Sequence, residues 1–191
     1  MTHIYIAFAV VTGLSYPSQP VQFQFLGHAS GSVVRICLDR KKVKQTFAGK
    51  LALRTQGRTV TSVCGDVRTP LRTKQVFWAR IQPTTRFGHR ERLAGSIVAT
   101  HFHLAKSDQQ CAGLQLAVWE ALEDGGTSPD FRSGRFQAEA ADDVMLYAAQ
   151  YYQVQRATKI ATVIESPGKV AQSQLLPSQP VPNGVTGHTD G

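Results

Sequence analysis

With 191 residues, 42% of them hydrophobic, the chain can bury a core of its own and is short enough to be read as one domain, which argues against a fully disordered or a multidomain protein. Its formal net charge of +8 is unevenly spread, since residues 35–92 carry 15 Lys and Arg against 3 Asp and Glu, and the rest carries 6 against 10. Such an imbalance suits an acidic partner or simply strands with solvated basic outer faces; without an RNA-binding aromatic pattern, zinc-finger spacing or basic helix, no nucleic-acid partner is expected.

Taken in order, residues 1–19 hold an apolar run from Ile4 to Leu14. It has the length of a secretory hydrophobic region but lacks a basic start, because no Lys or Arg precedes Arg35, so it reads either as a signal-like segment or as a first strand. It is too short to cross a bilayer, and no membrane span is expected elsewhere. From Val21 the pattern alternates: VQFQF, SVVRICL, TFAGKLALR, RTVTSVCGDV and KQVFWARI are short runs rich in Val, Ile, Phe and Thr, which predict antiparallel strands.

Near Arg86 the period changes. RLAGSIVATHFHLAK sets Leu93, Ile97, His101 and Leu104 at helical spacing, which predicts a first helix over 92–106. A second helix is predicted within 107–126, where Ser107 and Gln110 form a capping-box pattern and Gly125-Gly126 supplies the stop. A loop, GGTSPDFRSGRF, carries Phe131 and Phe136 as anchors. AEAADDVMLYAAQYYQVQ then predicts a third helix, with Val144, Ala148 and Tyr151 on one face. KIATVI and QSQLL predict a closing hairpin around SPGK, and residues 177–191 read as a disordered tail. Strands followed by helices, with a domain over 20–176, predict an α+β fold: an antiparallel sheet or sandwich region, about three helices and the hairpin.

The second helix carries an anomaly. Val118, Cys111, Leu122 and Trp119 fall roughly 60°, 40°, 20° and 40° from Gln115 around the axis, so an amide sits in the middle of an apolar stripe. Burying it without partners costs about 1 to 3 kcal/mol. Leu114, Val118 and Leu122 are expected to pack on the sheet, with Glu120 and Glu123 on the polar face. Cys37, Cys64 and Cys111 form no C-x-x-C and no zinc spacing, and any single disulfide among them leaves a free thiol. His101 and His103, two apart, point to different helix faces; no metal and no cofactor are expected.

A thiolate held against a glutamine carbonyl carbon can displace ammonia and leave an internal thioester, provided the pair is in fixed contact and shielded from water. Cys64 on a strand, Gln115 on a helix and Trp119 one turn beyond supply the residue types. The alternative is a hydrogen-bonded core glutamine beside an inert core cysteine.

AGLQLAVWEALEDGG (112–126) resembles the helix motif of bacterial thioester domains, with an apolar residue before the Gln and a Trp four residues after it. SPDFRSGRF is similar to the small secreted versions found with a PEP-CTERM type of sorting tail. TFAGKLALRTQGRTVTSVCGDVRTPL resembles the family's strand pair ending in Cys-x-Asp, and IESPGKVAQSQLL its final strands. The resemblance covers about residues 21–176. It implies Cys64 as the thiol, Gln115 as the acyl donor and Trp119 as the shield, with Asp66 and Cys111 as neighbours of the pair. Cys37 in RICLDR is a rival thiol, but it precedes TFAGKLAL where the family's cysteine follows. Val63 and Gly65 depart from the family pattern, Cys111 replaces a small residue, and the sorting tail has no counterpart in 177–191.

The implied function is a secreted or cell-surface domain that spends its thioester once, capturing an amine or hydroxyl on a partner protein or glycan; this is covalent adhesion, not enzymatic turnover. A non-covalent surface binding module, with Gln115 satisfying backbone groups or Cys64 in a disulfide with Cys111 or Cys37, is the alternative. A cysteine hydrolase or acyltransferase has weaker grounds, since no Cys-His signature can be assigned to His28, His89, His101 or His103.

Overall fold

The computed structural model describes residues 19–154, 160–169 and 171–177. Among these residues, seven antiparallel strands and three α-helices form an α+β fold. In chain order these are β1 (Val21–Leu38), β2 (Lys44–Thr55), β3 (Arg58–Cys64), β4 (Val76–Pro83), α1 (His89–His101), α2 (Asp108–Glu123), β5 (Phe136–Glu139), α3 (Asp142–Tyr152), β6 (Ala161–Glu165) and β7 (Gln174–Pro177). The segment expected to be signal-like or a first strand lies outside the described residues, apart from Gln19, and so does the expected tail beyond Pro177. Among the described residues no helix is long and apolar enough to cross a membrane.

The strand order is β2-β3-β7-β6-β4-β1-β5, and β1 pairs with β2 as well, so the ladders return to their starting strand. Strand β4 shows the two-residue period cleanly: Phe77, Ala79 and Ile81 are buried while Val76, Trp78 and Arg80 are exposed. Phe23, Phe25, Val34, Ile36, Leu53 and Ile164 join them in one core cluster. Strand β6 is buried at Ala161, Thr162, Val163 and Ile164 in succession, because α1 packs against β6 and β7. Helix α2 lies between the strands β1 and β2 and the helices α1 and α3, so Cys111 to Ala121 are buried without interruption.

Four boundaries differ from those the pattern predicts. VQFQF and SVVRICL belong to one strand, β1, whose ladder with β2 runs on through bulges between Phe25 and Gly27 and between His28 and Ser30. Helix α1 starts earlier and stops at His101, because Lys50 Nζ takes the carbonyls of Phe102 (2.8 Å) and Ala105 (2.6 Å) just past its end; Leu104 is exposed, not part of the stripe. Residues 136–139 are strand, where the pattern ends a loop at Phe136 and starts a helix at Ala138, because Phe136 to Glu139 pair with the free edge of β1 at Arg35 to Leu38, which delays α3 to Asp142. Pro177 closes β7 opposite Ala161 and is not in a tail.

Helix α2 also corrects the predicted faces. Glu120 is 2% exposed, so it does not belong to a polar face. Leu114 and Val118 are buried with Ala94, Ile97 and Val98 of α1 and with Val63 and Leu175, whereas Leu122 is only partly buried. The residues that meet the β1 side of the core are Ala112, Leu116 and Trp119. A helix covered on several sides has no single apolar stripe, which is why periodicity misassigns them.

Candidate functional site

Cys64 is the last residue of β3, where Val63 and Cys64 pair with Leu175 and Gln174 of β7. The chain then turns away. A Cβ on Gly65 would stand 3.2 Å from the Ser173 carbonyl oxygen, so a larger residue would crowd β7 here. The Gly65 N–H continues the ladder by donating to that oxygen at 2.7 Å. Asp66 shapes the turn: its carboxylate accepts from the N–H of Arg68 (2.8 Å) and Thr69 (3.2 Å) and from the Thr69 hydroxyl (2.5 Å). Its own carbonyl accepts from Gln172 Nε2 at 2.6 Å.

Gln115 reaches this turn from α2, which is fixed in register by its capping box: Ser107 Oγ accepts from the Gln110 N–H, and Gln110 Oε1 accepts from the Ser107 N–H. The Cys64 N–H donates to Gln115 Oε1 at 2.7 Å, and Gln115 Nε2 donates to the Cys64 carbonyl at 2.9 Å. The amide thus lies against the Cys64 peptide as a neighbouring strand would, and both of its polar atoms are satisfied at 1% exposure. The Cys64 sulfur accepts from Trp119 Nε1–H at 3.2 Å and exchanges contacts with Asp66, donating to its carbonyl at 3.1 Å and lying 3.4 Å from its N–H. Trp119 is 2% exposed and packs edge-on against Phe136.

Burial pushes the Cys64 thiol up to about 12, against the Trp119 N–H, the Asp66 N–H and the charge of Lys44, which favour the thiolate. The group is therefore a thiol at neutral pH. A second ionisable group sits one residue from Trp119. Burial pushes Glu120 up to about 7, against a hydrogen bond that its Oε1 accepts from the Asp130 N–H at 3.0 Å.

Of the predicted site residues, the structure brings together Cys64, Gln115, Trp119 and Asp66. Cys111 lies on the α1 side of α2 with its thiol directed at the Ala105 carbonyl, 3.6 Å away. Cys37 donates to the Lys41 carbonyl at 2.9 Å and lines a separate cleft with Arg35, Val43 and Phe131. All three cysteines are free thiols, so the disulfide alternative has no counterpart here. The His101 ring is tilted against that of Tyr151, and the His103 ring stands edge-on to that of Phe102. Among the described residues no group of three or more His, Cys, Asp or Glu is arranged to hold a metal.

Two features of the site escape sequence reasoning. Ser62, Gln172 and Gln174 form a hydrogen-bonded chain on the strand pair that carries Cys64, with Ser62 and Gln174 buried and Gln172 half-buried; Ser62 Oγ donates to Gln174 Oε1 at 2.9 Å and Gln174 Nε2 lies 3.2 Å from Gln172 Oε1. The alternating glutamines of QSQLL, in a strand otherwise apolar, are its signal. The other is a cavity of about 540 Å³ against Cys64, Gln115 and Trp119, reached by His28, Lys44 and Arg68. Arg68 also ties the Cys64 turn to the end of α2, pairing with Glu123 (2.6 Å) and Asp39 (2.7 Å). Comparison with protein-family models, with curated proteins and with solved structures finds no match.

Chemically, the arrangement presents an amide carbonyl polarised by the backbone N–H of the residue whose sulfur receives an indole N–H, in a site closed to bulk water but bordered by a cavity. That N–H is oriented to hold the oxygen of a tetrahedral adduct at the Gln115 carbonyl carbon.

Proposed function

We propose that Cys64 and Gln115 form an internal thioester and that the protein is a covalent capture domain, acting outside the cell or at its surface on an amine or hydroxyl of a partner. The observation that carries this reading is the two-point contact between the Gln115 amide and the Cys64 peptide, which seats the amide on the residue that bears the thiol. The likeness of residues 112–126 to the thioester-domain helix is a second support. In the forming step the sulfur bonds to the Gln115 carbonyl carbon, the carbon–nitrogen bond breaks, and the thiol proton leaves with the nitrogen as ammonia. Proton and leaving group depart together, so a thiol held near 12 does not have to accumulate as thiolate. In capture, a nucleophile takes the acyl group and Cys64 returns to a thiol. Each molecule acts once, which makes this a crosslinking domain and not an enzyme.

Intact mass tests it. Fresh protein is expected to lie one ammonia below its sequence mass, and methylamine is expected to add as an amide at Gln115 while freeing Cys64. Cys64→Ala and Gln115→Ala abolish both effects; Cys37→Ala abolishes neither. Full sequence mass, no methylamine adduct and glutamine still at position 115 would remove the thioester.

That outcome would leave a second reading, a non-covalent surface binding module, which one observation favours: the Gln115 amide already satisfies the Cys64 N–H and carbonyl and so has a purely structural use. Glutamate at position 115, by contrast, would mark a thioester opened by water.

A further inference from the structure

The cavity beside the Cys64–Gln115 pair offers a nucleophile an approach to it, and the wall of that cavity is one-sided in charge. His28, Lys44 and Arg68 reach it, and no Asp or Glu lines it among the described residues. Arg68 is neutralised by Asp39 and Glu123. Lys44 makes no ion pair among the described residues; its Nζ lies 3.4 Å from the Val67 carbonyl, and its charge acts on Cys64 against that of Asp66, whose carboxylate is turned into its own loop and does not line the cavity. A lysine side chain at neutral pH is almost wholly an ammonium ion, so it would meet a like charge beside the acyl group and no carboxylate to receive it. A hydroxyl meets no such barrier, but its oxygen attacks poorly until a base takes its proton.

His28 supplies a base. It stands on the bulged stretch of β1, its ring stacked face to face on Phe47 with centroids 3.7 Å apart. Its ring makes no hydrogen bond among the described residues, so a ring nitrogen is free to accept a proton. Its partial burial moves the pKa down from the ordinary histidine value, in the direction of the neutral imidazole that can accept a proton.

We propose that His28 is the general base of capture, and that the site takes a hydroxyl of an acidic glycan in preference to a lysine amine. This rests on the thioester reading above. The hydroxyl oxygen bonds to the thioester carbonyl carbon as His28 takes its proton. The carbon–sulfur bond then breaks, and the sulfur departs while hydrogen-bonded by the Trp119 N–H. His28 returns the proton to Cys64. The products are an ester on the acyl carbon of residue 115 and a free thiol, with no oxidant or reductant consumed. Lys44 holds the carboxylate of the sugar acid beside the reacting centre.

The test is capture by the full chain of glycerol, glucuronate and methylamine, read by intact mass and by locating the adduct. Wild type is expected to take both hydroxyl probes at residue 115, glucuronate faster. In His28→Asn and His28→Gln, hydroxyl capture falls by about 10² or more. Ammonia loss and methylamine capture persist in both variants, because an unprotonated amine carries its own lone pair. Lys44→Gln removes the preference for glucuronate over glycerol and leaves glycerol capture in place. Undiminished hydroxyl capture without His28 overturns the proposal, and so does wild type that takes methylamine but neither hydroxyl probe. Loss of methylamine and hydroxyl capture together in both His28 variants would make His28 structural, overturning it too. Wild type at full sequence mass with unmodified Gln115 and no adduct fails at the earlier step, the thioester itself.

Discussion

At the scale of single residues, Gln115 is the side chain whose burial has to be justified, and the justification is the Cys64 peptide. Two good hydrogen bonds to backbone groups contribute roughly 1 kcal/mol each, but losing them leaves a buried N–H and a buried carbonyl unpaired at about 1 to 3 kcal/mol each. Gln115→Leu keeps the volume and removes both bonds. It is expected to lower stability by about 2 to 4 kcal/mol, read as a lower urea midpoint with unchanged slope. A loss under about 0.5 kcal/mol would mean that the contact does not hold the turn. The anomaly at Gln115 is legible in the sequence, because helical periodicity alone places it among apolar residues. The choice between Cys64 and Cys37 is not legible by spacing, since each has an Asp two residues on. It follows from three-dimensional placement: the Cys64 turn faces α2, while Cys37 pairs with Gln137 on β5. Trp119 as a neighbour of Cys64 can be anticipated one turn from Gln115, but its indole N–H on the sulfur cannot.

At the scale of elements, short-range signals are read correctly and long-range ones are not. The capping box and the Gly125 stop of α2 are local, and Gly125 does take φ 64° with its N–H on the Glu120 carbonyl. Strand β5 is non-local: AEAADD has helical composition, and only the unfilled edge of β1, about 100 residues earlier in the chain, draws 136–139 into a ladder. Glu120 is misplaced for the same reason, since the loop before β5 folds over it and donates the Asp130 N–H. This has a pH consequence. Its carboxyl, raised by burial from 4.5 to about 7, binds a proton more tightly in the folded than in the unfolded chain. The contribution of Glu120 to stability is therefore fullest below pH 4.5, falls as pH rises through the window from 4.5 to about 7, and levels off above it. Glu120→Gln is expected to flatten that slope and to raise stability at pH 8 by on the order of 2 kcal/mol. Thermal unfolding across pH 4 to 9 checks it; equal slopes in both proteins would remove Glu120 as the titrating group.

At the scale of the whole molecule, the closed circuit of strands depends on β1 serving three partners in turn, β4 at its start, β2 along most of its length and β5 at its end. Bulges bend it, and the seam with β2 is tightest where Gly31 faces Gly49. Gly31 has φ 154° and Gly49 φ 151°. A Cβ on Gly31 would fall 2.1 Å from the Ala48 oxygen, and one on Gly49 would fall 2.2 Å from the Ser30 oxygen, so backbone and not a pliable side chain stands in the way. The same seam borders the cavity beside Cys64, which Gly49, Phe47 and His28 help to line. Separating the strands to admit a methyl group would therefore disturb fold and site together. Gly31→Ala or Gly49→Ala is expected to cost about 2 to 4 kcal/mol, combining strain at an unfavourable φ with displacement of a paired strand. Gly57→Ala is the control: it also has positive φ, 74°, but nothing within 4 Å of the added Cβ, so it should cost only about 1 kcal/mol. Equal urea midpoints for the three variants would show that the seam has slack and that the circuit is not held closed at these two glycines.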